Sequence, residues 1–352
     1  MTPLGDILIQ RIRATGPMTL ADYMGECLLH PEHGYYTARD PLGAAGDFTT
    51  APEISQMFGE LIGLCLAQAW MDQGAPTSFA LAELGPGRGT LMADILRATR
   101  GVSGFHDAAQ VHLIEASPTL RAAQAQIVPH AAWHNSVATL PDLPLFVIAN
   151  EFFDALPIRQ LRRHVNGWQE TVVGLQSDTL AAGLSPPAPL ASLDHRLDDT
   201  AAGDIVEICP TLPNIAAQIG ARVAAHGGAA LIIDYGDWQS QGDTLQALRD
   251  HQIADPFTAP GMADLTAHVD FAAIANAAAP AAYTRVTPQG VFLERLGVTH
   301  RAQALAERLG GAALENHIAA HHRLTHPDAM GHLFKVIGLY PKDATPPPGL
   351  MP

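Results

Sequence analysis

The chain has 352 residues, of which 47% are hydrophobic, so it can bury a sizeable core in one large domain or two modest ones. Its formal net charge is −15, and Lys335 and Lys342 are its only lysines. This balance argues against nucleic acid as a partner, because there is no basic face to neutralise phosphates. No apolar run approaches the length of a membrane span. Cys27, Cys65 and Cys209 are far apart, which argues against a disulfide framework or a thiolate zinc site and fits a reducing cytoplasm.

The sequence predicts mostly helix and loop in the N-terminal region, residues 1–75. Residues 4–13 and Leu20–Leu29 are predicted helices, and Thr19 is placed to cap the second one. Residues 53–73 carry a wide apolar stripe, which predicts one long helix. The N-terminus lacks the apolar core and cleavage site of a secretory signal, and the motif-bearing part starts too soon for a mitochondrial transit peptide. We therefore expect a cytoplasmic protein.

A glycine-rich turn follows the first strongly apolar strand. Glu83 lies near the end of that strand, Gly85, Gly87 and Gly89 follow at alternate positions, and a helix-forming stretch begins at once. Glycine is needed where the backbone takes positive φ or lies against a ligand. A turn of this kind, between a strand and a helix, can seat a nucleotide-like cofactor against backbone N–H groups. We therefore assign these four residues to cofactor binding.

A second strand, residues 111–115, also ends in an acid, Glu115. An acidic residue at the end of the second strand is placed to accept hydrogen bonds from ribose hydroxyls. The alternative is a capping or solvated acid before the helix that starts at Ser117-Pro118. The compact E-x-G-x-G-x-G spacing before it differs from the dinucleotide fingerprint. It looks like motif I of class I S-adenosyl-L-methionine (SAM) methyltransferases.

A third apolar strand ends in the run Asn150-Glu151-Phe152-Phe153-Asp154. Open α/β sheets keep their sites at the carboxyl ends of their strands, so the three polar residues are candidates for catalysis beside the methyl donor. The two phenylalanines are candidates for the substrate side, because an aromatic face attracts positive charge. The alternatives are core packing for the aromatic residues and helix capping for the polar ones.

Two further segments could reach the same site. Asp47 lies in a glycine-containing loop and could orient a substrate cation or the amino group of SAM. Asp234 and Tyr235 end another apolar strand at the same sheet edge and are assigned to the substrate side. His317 and His321 have the i, i+4 spacing of a metal-ligand pair, but no nearby acid or cysteine completes a site, so we predict no metal.

Repeated strand–helix steps predict an α/β fold with a mostly parallel sheet covered on both faces. Asn166-Gly167, between two alternating segments, predicts a β-hairpin. Residues 237–281 are predicted to form loops with short helical segments. The proline-rich tail, residues 341–352, is expected to be mobile.

The chain resembles the MidA family of class I SAM-dependent methyltransferases over nearly its whole length. The segments that carry the resemblance include His33-Gly-Tyr-Tyr36, Gly46-Asp-Phe-Thr-Thr-Ala-Pro-Glu-Ile-Ser-Gln-Met-Phe-Gly-Glu60, Glu83-Leu-Gly-Pro-Gly-Arg-Gly-Thr-Leu91, Asn150-Glu-Phe-Phe-Asp-Ala-Leu-Pro157, Asp234-Tyr-Gly236 and Met330-Gly-His-Leu-Phe-Lys335. The resemblance implies a Rossmann-like methyltransferase sheet in residues 76–352, an N-terminal helical region in residues 1–75, and an inserted substrate-side region at about 155–210 and 237–281. It also implies that Gly85, Gly87 and Glu115 bind SAM and that the Asp47 loop closes over it.

Mitochondrial members of that family are protein-arginine methyltransferases that act in the assembly of respiratory complex I. The resemblance therefore implies a protein substrate with an accessible arginine, with a complex I subunit as one candidate. Glu151 and Asp154 are the first choices to hold the guanidinium, and Asp47 and Asp234 are the reserves. Well-known arginine methyltransferases carry two glutamates at this position, whereas this chain has one glutamate and one aspartate. A small-molecule methyltransferase and a SAM-binding assembly factor without turnover are the alternatives.

Overall fold

The computed structural model describes residues 2–38 and 50–352. Its α-helices are α1 Pro3–Thr15, α2 Leu20–Leu29, α3 Tyr35–Ala38, α4 Ala51–Ile54, α5 Gln56–Asp72, α6 Thr90–Ala98, α7 Phe105–Ala108, α8 Pro118–Ile127, α9 Leu212–His226, α10 Phe271–Ala277, α11 Gln289–Arg295, α12 Val298–Ala306, α13 Gly311–Thr325 and α14 Met330–Leu333. Its strands are β1 Met18–Thr19, β2 Phe79–Leu84, β3 Ala109–Ile114, β4 Ala132–His134, β5 Leu145–Asn150, β6 Arg159–His164, β7 Gly167–Gln176, β8 Thr179–Leu184, β9 Ile205–Ile208, β10 Gly228–Asp237, β11 Gln246–Arg249, β12 Gln252–Ile253, β13 Asp264–Thr266, β14 Val269–Asp270, β15 Ala282–Tyr283, β16 Thr287–Pro288 and β17 Phe334–Tyr340.

The centre of the fold is a nine-stranded sheet of order β15-β17-β10-β5-β2-β3-β4, with β14 pairing β10 and β16 pairing β17. Strands β10, β5, β2, β3 and β4 pair in parallel, and β17 pairs antiparallel with β10. This mostly parallel sheet with strand–helix crossovers confirms the predicted α/β fold.

Both faces of the sheet are covered, and its central strands are buried and mostly apolar, with Glu83 and Asn150 as polar exceptions near their carboxyl ends. All six residues of β2 and of β5 are buried. Alternate side chains go to opposite faces, so Phe79 and Leu81 join a cluster with helices α5 and α6, while Ala80 and Ala82 join a cluster with α9 and α10. Such strands read as continuous hydrophobic runs, which is why the sequence reveals them.

Two small antiparallel sheets lie outside the central one. One has the order β1-β7-β6-β9, with β8 pairing β7, and contains the predicted hairpin at Asn166-Gly167. The other has the order β12-β11-β13. The first lies mainly in residues 155–210 and the second in residues 237–281, although β1 comes from the N-terminal region and joins the first sheet through β7.

Three local predictions were wrong. The expected helix at 53–73 is two helices, because Ser55 is extended at φ −159° and its Oγ caps the second one by accepting from Met57 N–H at 3.3 Å. Residues 237–281 contain strands as well as loops and helices. The C-terminal tail packs on the core: Leu350 is 7% exposed and the Met351 carbonyl accepts from Arg285 N–H at 2.8 Å. Prolines reduce the entropy lost on ordering such a tail. Within the described ranges, every helix is too short or too polar to span a membrane.

Candidate functional site

The glycine turn leaves β2 with its backbone in a conformation that other residues rarely adopt. Gly85, Gly87 and Gly89 have φ values of +61°, +54° and +89°. A Cβ at Gly85 would lie 2.9 Å from Cδ2 of Phe152, so the turn packs directly against the residues that follow β5. Gly89 is the N-cap of α6. The N–H groups of Gly85 and Gly89 donate to the Ile114 and Pro86 carbonyls, and the turn ends at the N-terminus of α6, the kind of position where a nucleotide-like cofactor can bind.

Glu83 lies near the end of β2, just before this turn, and the residue is 3% exposed. Its Oε2 is buried and has no hydrogen-bond partner among the described residues. Burial raises the pKa of Glu83 to about 8, and the charge of Glu115 adds to the rise, while a hydrogen bond from Met92 N–H opposes it. A cation that bound here would relieve the cost of the buried charge.

Glu115 follows β3 and is held in place from two sides. Its Oε1 accepts from Ser117 N–H at 2.8 Å and its Oε2 accepts from Gln124 Nε2 at 3.2 Å. Gln124 Nε2 also donates to the Gly87 carbonyl at 2.8 Å, so it joins the acid to the glycine turn. Ser117, not Glu115, caps α8, because its Oγ accepts from Leu120 N–H. Glu115 is therefore not the N-cap of α8.

Gln124 was missed by the sequence analysis. It lies one helical turn after Leu120, and both residues are buried. That i, i+4 spacing was the available signal, since it places the polar side chain on the inward face of α8.

The turn after β5 has a backbone that local contacts hold tightly. Glu151 has a positive φ of +53°, which is uncommon for a non-glycine residue. Its N–H donates to the Ile233 carbonyl, and its Oε1 accepts from Asn150 Nδ2 and Ala51 N–H, each bond 3.0 Å long. Asn150 Oδ1 is buried without a partner in the described part of the chain. Residues 151–158 form turns and bends that lead into β6, so the run does not cap a helix that follows it, although Glu151 accepts from the first N–H of α4 at Ala51.

Asp234 is fully buried and is committed to the backbone of that turn. Its Oδ2 accepts from the N–H groups of Phe152, Phe153 and Asp154 at 3.2, 3.0 and 3.2 Å. Its Oδ1 accepts from Tyr235 N–H at 2.9 Å. The structure thus places Asp234 behind the turn, where it fixes the neighbouring carboxyl groups.

Glu151, Asp154 and Asp234 form a cluster of carboxyl groups with raised pKa values. Burial raises the pKa of Glu151 to about 7, and the charge of Asp154 adds to it. Burial likewise raises the pKa of Asp154 to about 6, while a hydrogen bond from the Tyr235 side chain lowers it. Burial and then the charges of Asp154 and Glu151 raise the pKa of Asp234. Asp154 Oδ1 has no hydrogen-bond partner within residues 2–38 and 50–352.

The aromatic residues of the run differ in placement. Phe153 is 2% exposed and belongs to the core cluster under α9 and α10, as the packing alternative expected. Phe152 is half-buried and contacts Phe153 edge-on at 5.2 Å between ring centroids. Tyr235 stands edge-on to His268 at 5.4 Å. Phe152 and Tyr235 are thus partly exposed, whereas Phe153 is buried.

The N-terminal region adds a residue that sequence reasoning did not assign. The Tyr36 phenol donates to Asp264 Oδ1 at 2.8 Å, and the Tyr36 carbonyl accepts from Ser117 Oγ at 2.7 Å. Asp47 lies outside the described residues. No group of three or more His, Cys, Asp or Glu side chains is placed to hold a metal ion in the described ranges. The His317 ring nitrogen is paired with the Ala302 carbonyl.

Three comparisons with known proteins all match this chain to methyltransferases. The Methyltransf_28 family model, which describes S-adenosyl-L-methionine-dependent methyltransferases, matches residues 61–288. The protein arginine methyltransferase NDUFAF7, mitochondrial, is 36% identical in Rattus norvegicus, over 97% of this chain and 85% of the relative. The Homo sapiens protein of that name is also 36% identical, over 97% of this chain and 84% of the relative. A COG1565 superfamily member from Burkholderia thailandensis, crystallised with S-adenosyl-homocysteine, has a TM-score of 0.81 and 27% identity, and the match covers 96% of this chain and 91% of that chain.

Proposed function

Because this chain belongs to the Methyltransf_28 family of SAM-dependent methyltransferases, we propose that it methylates arginine side chains of proteins. The same matches confirm its resemblance to the MidA family. The finer assignment to arginine rests on the carboxyl cluster after β5 and on the relatives, which are named protein arginine methyltransferases.

The cofactor side of the proposal rests on the turn after β2. The positive-φ glycines give the close backbone approach that a nucleotide cofactor needs. We assign Gly85, Gly87 and Gly89 to this cradle, Glu115 to the ribose hydroxyls and Glu83 to the amino group of SAM. When bound, SAM supplies a methyl group carried on a positively charged sulfur.

The single observation that carries the arginine assignment is the set of buried oxygens without donors beside that cradle. Asn150 Oδ1 and Asp154 Oδ1 have no partner among described residues. Both are acceptors, so the missing partner is a donor-rich group. A guanidinium presents five N–H donors in a planar fork and keeps its positive charge at all physiological pH values. It would satisfy these oxygens and neutralise the cluster.

Glu151 and Asp154 would then have two tasks. They orient the guanidinium so that one nitrogen faces the methyl donor, and positioning of this kind supplies much of the acceleration in a displacement reaction. When that nitrogen gains a methyl group it must lose a proton, since the product guanidinium keeps a single positive charge. We assign the proton to a carboxylate oxygen of Glu151 or Asp154, whose raised pKa values make them better bases than ordinary acids.

For the partner, we propose a protein with an accessible arginine, and a subunit of respiratory complex I is the candidate that the family resemblance implies. The net charge of −15 would favour a basic protein surface. We propose the cytoplasm as the compartment, since Cys27, Cys65 and Cys209 are all free thiols.

The direct test is mass spectrometry of proteins from cells with and without the gene for this chain. We expect at least one methylated arginine to be lost, and the purified chain with SAM to restore it on the unmodified protein. Methylation of small molecules only would support the first alternative. Binding of SAM with no transfer to any acceptor would support an assembly factor without turnover. Either result would overturn the proposal.

The site is tested by Glu151→Gln and Asp154→Asn, which remove charge at nearly constant shape. A charged hydrogen bond is worth about 1.5–3 kcal/mol, so each change should lower the transfer rate by roughly ten- to a hundredfold. The affinity for SAM should stay within about twofold, and the melting temperature should not fall, because each change also relieves repulsion in the cluster. Glu307→Gln, at an exposed position, is the matched control. Full activity in both site variants would remove these residues from the mechanism.

A further inference from the structure

Gln124 lies between two parts of the predicted cofactor site, and its side chain is fully buried on α8. Its Nε2 donates to the Gly87 carbonyl at 2.8 Å and to Glu115 Oε2 at 3.2 Å. Its Oε1 accepts from the Trp133 indole N–H at 2.8 Å. One amide group therefore contacts the glycine turn after β2, the acid after β3 and a side chain of β4.

These partners fix the orientation of the Gln124 amide. An indole N–H is a donor and cannot accept, so the amide oxygen must face Trp133. The amide nitrogen then faces Gly87 and Glu115, which both present acceptors. A reversed amide would set donor against donor at Trp133 and oxygen against oxygen at the other two contacts. Trp133 thus decides which way Gln124 points.

Both members of this pair are held by regular structure. A Cβ at Gly89 would lie 3.6 Å from both Cα and Cγ of Gln124, so α8 packs directly against the end of the glycine turn. Trp133 is half-buried and packs against the core cluster that contains Phe79. It also pairs with Leu113 in the ladder between β3 and β4. Gln124 and Trp133 are thus held by a helix and a strand of the central layers.

Both oxygens of Glu115 are held by neighbours, Oε1 by Ser117 N–H at 2.8 Å and Oε2 by Gln124. Burial raises the pKa of Glu115. The bonds from Ser117 and Gln124 and the charge of Arg121 oppose this rise. Glu83, on the neighbouring strand, is the acid that interacts with it through charge. Gln124 therefore favours the ionised form of Glu115, which is the stronger acceptor for a hydroxyl group.

We propose that Gln124 is a positioning residue that holds Glu115 in place for the ribose hydroxyls of SAM, and that Trp133 sets the orientation of its amide. This inference rests on the assignment of Glu115 to the ribose in the proposed function, and it extends that assignment to two residues that act through Glu115. Because the same Nε2 also holds the Gly87 carbonyl, Gln124 fixes the ribose acid relative to the glycine turn. The cofactor then meets both parts already arranged, so little ordering is left to occur on binding.

The test is calorimetric binding of S-adenosylhomocysteine, which needs no methyl acceptor. Gln124→Met removes the amide at nearly constant length and should weaken binding by about ten- to a hundredfold, because it removes a bond to a charged group. Trp133→Phe should weaken binding by about three- to tenfold, because the amide can then turn away from Glu115. The double variant should bind no more weakly than Gln124→Met alone, since Trp133 acts through Gln124. Gln126→Met, at an exposed position of the same helix, is the matched control.

A second ligand separates positioning from a merely structural role. An analogue of S-adenosylhomocysteine without the two ribose hydroxyls offers no donor to Glu115, so its affinity should be similar in the wild type and in Gln124→Met. For S-adenosylhomocysteine itself, the difference between the two proteins should shrink as pH rises. The lost bond raises the pKa of Glu115, so a higher pH is needed to ionise it in the variant.

Equal losses for the two ligands in Gln124→Met, or losses that multiply in the double variant, would overturn the inference. Equal affinity of the wild type for both ligands would overturn it as well, because Glu115 would then not contact the ribose. If Gln124→Met does not fold, the comparison of the two ligands on Trp133→Phe decides the matter. A wild-type chain that binds S-adenosylhomocysteine but methylates no arginine would instead overturn the proposed function, so the two failures are distinguishable.

Discussion

Asp234 offers the sharpest test of how the carboxyl turn is built. Its carboxylate accepts four backbone N–H groups, three of them from residues 152–154 at 3.0–3.2 Å. In Asp234→Asn the amide oxygen can keep those three bonds, but the amide nitrogen then faces Tyr235 N–H, donor against donor. The variant thus loses one charge-assisted bond and weakens three.

The expected loss of unfolding free energy follows from those bonds. One lost bond to a charged group costs about 1.5–3 kcal/mol, and three bonds weakened to neutral strength cost about 0.5 kcal/mol or more each. Relief of repulsion from Glu151 and Asp154 offsets part of this. We expect a net loss of about 2–4 kcal/mol for Asp234→Asn. Asp234→Ala should lose more, because it leaves all four donors unpaired.

Urea denaturation at constant pH measures this loss, with the m-value as the check that the unfolding transition is unchanged. Asp237→Asn is the matched control, since Asp237 is the exposed last residue of the same strand. The sequence analysis assigned Asp234 to the substrate side. If it binds the acceptor directly, Asp234→Asn should raise KM and leave stability within about 0.5 kcal/mol of the control. That outcome would refute the reasoning from the four N–H groups.

Three further outcomes follow from the structure. Gly87→Val should abolish SAM binding in calorimetry and cost about 1–2 kcal/mol of stability, since Gly87 has φ +54°, whereas Gly101→Val should change neither. Leu350→Ala should lower the unfolding free energy by about 2 kcal/mol or more, because Leu350 is buried where the tail packs on the core; an unchanged free energy would contradict that packing. Because burial raises the pKa of Glu151 to about 7 and that of Asp154 to about 6, kcat/KM for a cationic acceptor should rise with pH across that range. Their raised pKa values change stability in the opposite direction to activity. The stability that they contribute is present below their unfolded pKa values and is lost as pH rises through about 6 and about 7. An unfolding free energy or a kcat/KM that stayed constant over this range would contradict the prediction.

The longer strands of the central sheet could be predicted because each carries its own signal, whereas the short strands β4, β14 and β16 could not. β2 and β5 are short apolar runs that end in acids or amides, and the parallel arrangement follows from the helices between them. The break at Ser55 could not be predicted from the apolar stripe. An extended serine interrupts the helix by one residue only, and the stripe continues on both sides with nearly the same phase.

The site was predicted in part for the same reason. Parallel strands bring their carboxyl ends together, so Glu83, Glu115 and Asp154 were expected at one edge. The hydrogen bond between Tyr36 and Asp264 could not be predicted in this way, because the two residues are 228 residues apart in the chain. The conformation of a single turn likewise decides whether an acid faces a ligand or the backbone.

The charge of the pocket also bears on which side chain it can methylate. A lysine ammonium has no lone pair and must lose its proton before it attacks the methyl group. The carboxyl groups of Glu151 and Asp154 would raise the pKa of a bound amine and keep it protonated. A guanidinium meets no such obstacle, because it carries a positive charge both before and after transfer and needs a base only for the proton displaced by the methyl group. The cluster that would hold an arginine in place is therefore the one that would keep a lysine unreactive, and this difference favours arginine on the ground of proton transfer as well as of shape.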